Sequence, residues 1–168
     1  MHMKLFSANV EDLRSLYITQ LQKALDMEQK IVKALPDLIE ASSDSDLRAA
    51  FSNHLEQTRG HVQKVQQLLR TNTGETNTET CKVINGLTTQ ASDTNKDVTD
   101  PSIRDIALVG AAQQVEHHEI AVYGTLRRWA EILNLQDANV IRTIENEEIK
   151  ADEMLTSISK RVNLQAAA

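Results

Sequence analysis

Gln114-Val115-Glu116-His117-His118-Glu119-Ile120-Ala121-Val122-Tyr123 reads as a segment of long helix, and it sets two carboxylates on or beside the apolar face of that helix. At about 100° per residue, Val109, Ala112, Glu116, Ile120, Tyr123 and Arg127 share one side, with Glu116 near its middle and Glu119 on its flank. An unpaired carboxylate in a packed core is costly, so it must be protonated, paired with a cation or bound to a metal.

Upstream, Asp100-Pro101 is a strong helix start, an N-cap acid followed by a proline whose missing N–H costs nothing at the first position. This third long helix is expected to run to about Leu133. After a short turn at residues 134–137, a fourth helix carries Ile141, Ile144, Glu148, Ala151, Leu155, Ile158 and Val162 on one face. The first helix is expected from about Asn9, a candidate N-cap, through Leu13, Tyr17, Leu21, Ala24, Glu28, Ile31, Val32 and Leu35 towards Ala41, with Pro36 ending or kinking it. The second spans about Asp46 to Arg70 on Leu47, Phe51, Leu55, Thr58, Val62, Val65 and Leu69; His54 lies close to that stripe and His61 further to its edge. Residues 70–100 form a crossover too long for adjacent antiparallel helices. Its polar ends flank a short amphipathic helix on Cys81, Val83, Ile84, Leu87 and Ala91. The expected fold is thus all-α: a four-helix bundle in one domain, 1–168, with a short fifth helix in its crossover.

Composition agrees: 168 residues, 40% apolar and 25% charged, with only five Gly and two Pro. A net charge of -6 offers no broad basic field for nucleic acid or anionic lipid. The single cysteine, Cys81, allows no internal disulfide, and no apolar run is long enough to span a bilayer. A cytoplasmic protein without nucleic-acid or membrane partners is expected.

Each long helix presents a potential ligand inwards: Glu28, His54, Glu116 with Glu119, and Glu148. Carboxylates and imidazole from facing helices are the donors that bind two iron or manganese ions in helical bundles. Taken singly, Glu28 reads as a flanking acid, Glu148 as part of an acidic run with Glu145 and Glu147, and His54 as a boundary histidine. Their coincidence on four helices favours a metal shell, with Glu116 the hardest to dismiss. Tyr17 and Tyr123 also point inwards, either bonding ligand carboxylates or, more commonly, serving as core tyrosines. His117 and His118 point to the side and back of their helix, and Cys81 reads as a small core residue.

Ala34-Leu35-Pro36, His54-Leu55-Glu56-Gln57-Thr58, Arg104-Asp105-Ile106-Ala107-Leu108, Val115 to Gly124, Glu147-Glu148 and Ala151-Asp152 together resemble the YciE/YciF-type family of bacterial ferritin-like proteins over nearly the whole chain. The resemblance implies a ferritin-like bundle, a homodimer, a dinuclear metal site and a link to bacterial stress responses, with no assigned reaction. Glu116-x-x-Glu119 is also similar to the third-helix pair of rubrerythrins. Against that pattern the second helix offers Phe51-x-x-His54 or His54-x-x-Gln57, and the fourth Glu148-x-x-Ala151. One carboxylate and one imidazole are then missing, unless Asp152, Gln57 or His61 substitutes.

Two functions follow as expectations. One is a dinuclear iron or manganese protein that reacts with oxygen or peroxide, using Glu28, His54, Glu116, Glu119 and Glu148. The other is a dimeric stress-response interaction protein whose site is vestigial or structural. An iron-storing or DNA-protecting cage is weaker, because the chain is acidic.

Overall fold

Asp12, Asp44 and Asp100 start three of the helices, each accepting backbone N–H groups of the first turn. The computed structural model describes residues 10–167, in which the helical periods become α1 (Leu13–Ala41), α2 (Ser45–Thr73), α3 (Lys82–Asp97), α4 (Pro101–Ile132) and α5 (Asp137–Ala167). Among the described residues there is no strand. The fold is therefore the expected all-α, ferritin-like bundle with a helix in its crossover.

Three local expectations need correcting. Asn9 lies outside the described residues; the N-cap of α1 is Asp12, in a reciprocal capping box with Ser15. Pro36 does not end α1, which continues to Ala41. It sits on the exposed side, where water can replace the lost hydrogen bond, while Leu35 and Leu38 stay in the core. The polar run after Ala91 remains helical as far as Asp97, a solvated end without the apolar period that would mark it in sequence. At the other side of the crossover, α2 closes on Gly74, whose φ of 80° is the left-handed conformation glycine adopts freely.

Side-chain bonds fix which helix ends meet. The start of α1, the end of α2 and the α4–α5 turn share one end, where the Tyr17 hydroxyl and the Asn72 amide donate to Asp137 at 2.7 and 2.6 Å. At the opposite end the α1–α2 turn meets the start of α4 and the end of α5. There Asp105 accepts from Ser43 N, Ser43 Oγ and Asp44 N at 2.9, 2.5 and 2.8 Å, and Arg161 pairs with Asp44 at 2.6 Å. The crossover must therefore travel the length of the bundle, and α3 packs on α1 and α4 as it does so.

Apolar layers fill the bundle on both sides of its midplane. Tyr17, Leu21, Leu25, Leu69, Leu126, Ile141 and Ile144 form one; Leu35, Leu47, Phe51, Leu108, Leu155 and Ile158 form the other. Between them lies a layer of buried polar side chains. Burying this apolar surface, at roughly 25 cal/mol per Å2, is what holds those groups out of water.

Candidate metal centre

Glu28 from α1, His54 and His61 from α2, Glu116 and Glu119 from α4, and Glu148 from α5 converge in that midplane layer. Glu28, His61, Glu119 and Glu148 are wholly buried; His54 and Glu116 are 5% and 3% exposed. The geometry divides them into two groups, within each of which one donor atom per residue lies within 4.8 Å of the others: His54, Glu116, Glu119 and Glu148; and Glu28, His61 and Glu148. Glu148, rather than Glu116, is common to both.

His54 Nε2 stands 3.3 Å from Glu116 Oε1 and 3.8 Å from Glu119 Oε2, with Nδ1 3.8 Å from Glu148. His61 Nδ1 approaches Glu148 Oε1 to 2.8 Å, without the alignment of a full hydrogen bond, and lies 3.7 Å from Glu28. Its other nitrogen is held: Nε2 bonds Glu147 Oε2 at 2.6 Å, and Lys64 Nζ pairs with the same oxygen at 3.0 Å. This carboxylate–histidine contact fixes the ring so that Nδ1 points at the cluster. Tyr123 donates its hydroxyl to Glu28 Oε1.

Among the described residues, nine buried side-chain nitrogen or oxygen atoms have no hydrogen-bond partner, and all nine belong to these six residues. Both oxygens of Glu119, both of Glu148 and both nitrogens of His54 are included. Buried polar atoms are normally satisfied, and each exception calls for a cause. Cations held between these side chains would supply one for the carboxylate oxygens and for one nitrogen of each imidazole.

The electrostatics say the same. Burial, reinforced by Glu148, pushes the Glu116 and Glu119 carboxyls well above the usual carboxylate range. Burial takes Glu148 up to about 7, with Glu28 adding to the shift and His61 opposing it. Burial lowers His54 to about 4, helped by the charge of His61. Burial opposes charge on His61 too, but Glu148 and Glu28 outweigh it and raise that imidazole to about 10. Without a cation the cluster must keep protons on its acids, which divalent ions would displace.

All five residues expected from sequence are gathered here, together with His61. The missing carboxylate and imidazole are missing only from the motifs: four carboxylates and two imidazoles are the donor count of a ferritin-like dinuclear site. His61 supplies the second imidazole. Gln57 is exposed, and Asp152 bonds Gln113 and lies 3.4 Å from His117, so neither joins the two groups. Of the tyrosines, Tyr123 touches a candidate ligand whereas Tyr17 is a structural latch to Asp137. His117 is exposed. Cys81 is buried and 3.6 Å from the half-buried His118.

His61 was findable. It lies seven residues from His54, two helical turns, and so on the same side of α2. A stripe drawn through Val62, which is only half-buried, and not through the buried Ala50 and Leu68 is centred too far the other way. Glu119 was likewise placed on a flank. With α5 on one side and α1 and α3 on others, α4 buries a wider arc than one stripe, and that arc includes Glu119.

Comparison with known proteins agrees with the fold. The family described as "Domain of unknown function (DUF892)" matches residues 12–168. Protein YciF of Escherichia coli strain K12 is 32% identical over 161 residues, covering 94% of this chain and 97% of that protein. The crystal structure of the E. coli stress protein YciF superposes with a TM-score of 0.87 at 30% identity, over 91% of this chain and 98% of that one. YcfI from Rhodopseudomonas palustris gives a TM-score of 0.87 at 34% identity, over 90% and 98%.

Proposed function

The chain belongs to the DUF892 family, and from that premise we propose that it is a YciF-like protein that holds two divalent ions, iron or manganese, in its midplane and serves a bacterial stress response. The observation that carries this reading is the confinement of all nine unpartnered buried polar atoms to six residues with the right donor chemistry. The stress link is supported by the E. coli relative, which is a stress protein.

In this reading His54, Glu116 and Glu119 would hold one ion and Glu28 and His61 the other, with Glu148 within reach of both groups. Bound there, the ions would supply electrons for reaction with oxygen or peroxide. The chain's own groups set the stage: Tyr123 holds Glu28, Glu147 with Lys64 holds His61, and the apolar layers keep bulk water away. The working unit is a homodimer in the cytoplasm.

Metal analysis of anaerobically purified protein tests the reading. Two equivalents of iron or manganese per chain are expected, falling to one or none in Glu148→Ala while helical content persists. Absence of binding at either one or two equivalents in the unmutated protein would overturn it. A vestigial site was motivated by an incomplete donor set; the six gathered donors weigh against it.

A further inference from the structure

Two cavities border the centre, and both end on its His54–Glu116 side. One, of about 30 Å3, is walled by apolar side chains of α1, α2, α3 and α4, including Ala34, Phe51, Ala91 and Ala111. Its polar side chains are only His54, Glu116 and Thr88, and the Thr88 hydroxyl is already given to the Ile84 carbonyl at 2.8 Å. The other, of about 70 Å3 between α2, α4 and α5, carries the exposed amides of Asn53 and Gln57. At the opposite side of the centre, Glu28, His61 and Tyr123 are wholly buried and border neither cavity.

The two differ in what they can hold. A water needs two to four polar partners, which the apolar cavity offers only at its His54–Glu116 end and not along the rest of its walls, so those walls favour a dry occupant. Its volume exceeds the roughly 10–15 Å3 that one small probe requires and falls far below the ~150 Å3 that admits benzene. The occupant is therefore neutral, non-polar and about two heavy atoms in size. Peroxide would leave its hydroxyl groups unpaired there and is better matched to the amide-lined cavity.

We propose that the apolar cavity bordered by α3 is a docking site for dioxygen, and that it delivers this gas to the His54–Glu116 side of the centre. The cavity stands on its own geometry; the consequence for reaction rests on the dinuclear reading above.

The test uses xenon as the probe, in crystals of the metal-free protein under gas pressure. A xenon peak among Ala34, Phe51, Ala91 and Ala111 is expected, and its loss in Ala111→Leu. With ferrous iron loaded, oxygen consumption at limiting oxygen should slow about tenfold in Ala111→Leu with iron content unchanged. Ala34→Leu, filling the cavity from α1, provides the same comparison should Ala111→Leu not fold. Absence of xenon from this cavity overturns the proposal, as does an unchanged oxygen rate in a variant that has lost the xenon peak. A protein that takes xenon but no iron would refute the dinuclear reading and leave the gas site standing.

Discussion

Asp105 and Glu119 are both buried acids on α4, 3% and 0% exposed, yet they stand in opposite circumstances. Asp105 accepts three hydrogen bonds from Ser43 and Asp44 and so ties the α1–α2 turn to the start of α4. Glu119 has no hydrogen-bond partner for either oxygen. Burial alone therefore does not mark a functional acid. What separates them is whether protein groups already satisfy the charge, and only the midplane acids are left for something the chain does not itself supply.

The largest expected separation comes from adding metal. At a free concentration about a thousand times Kd, manganese should stabilise the wild-type protein by about 4 kcal/mol for each ion held, about 8 kcal/mol for two, in urea unfolding, since it binds the folded state alone. Asp105→Ala should keep that increment and Glu148→Ala should lose half or all of it, as it retains one ion or none. Asp105→Ala itself should destabilise by about 3 kcal/mol with or without metal, because it removes the buried acceptor shared by three donors of the α1–α2 turn. Equal metal responses in Asp105→Ala and Glu148→Ala would erase the distinction between the two acids.

A smaller effect of opposite sign is expected at the midplane. Glu119→Leu should raise metal-free stability by about 1–2 kcal/mol, since an uncompensated buried acid is replaced by an apolar group of similar size. The same variant should gain less from manganese than the wild type does. Destabilisation of the metal-free protein by Glu119→Leu would place Glu119 with Asp105 as a structural acid.

The gentlest probe is pH. Glu148, raised from 4.5 to about 7, holds its proton more tightly in the folded protein, so its contribution to stability is complete below pH 4.5 and is lost as pH rises to about 7. Glu116 and Glu119 are raised too and act in the same direction. His54, lowered from 6.5 to about 4, opposes them: its contribution is present above pH 6.5 and is lost on descent towards 4. Three carboxyls against the His54 imidazole predict that metal-free stability, followed by urea midpoints, declines between pH 4.5 and 7, and His61, raised from 6.5 to about 10, extends the decline above pH 6.5. Metal affinity measured by titration should climb across the same interval, because each ion displaces protons.

Much of this arrangement could be read before any coordinates. Glu28, Glu116 and Glu148 interrupt apolar stripes of helical period, and Asp100-Pro101 marks the start of α4 within the crossover logic of the bundle. His61 and the full inward turn of Glu119 could not be fixed that way, because a stripe gives the mean direction of a helix face and not the width of the arc its neighbours cover. Pro36 leaves an end or a kink equally open in sequence for a related reason: a proline's local cost is outweighed when tertiary packing holds the residues on its other side. The partnering of Asp105 was invisible for a third reason. Hydrogen bonds between elements more than sixty residues apart leave no periodic trace.

Anomalous scattering from a crystal soaked with ferrous iron asks whether six side chains form one shell around two ions. Two iron peaks are expected, one among His54, Glu116, Glu119 and Glu148 and one among Glu28, His61 and Glu148. A well-soaked crystal with no iron peak among those residues would contradict that arrangement.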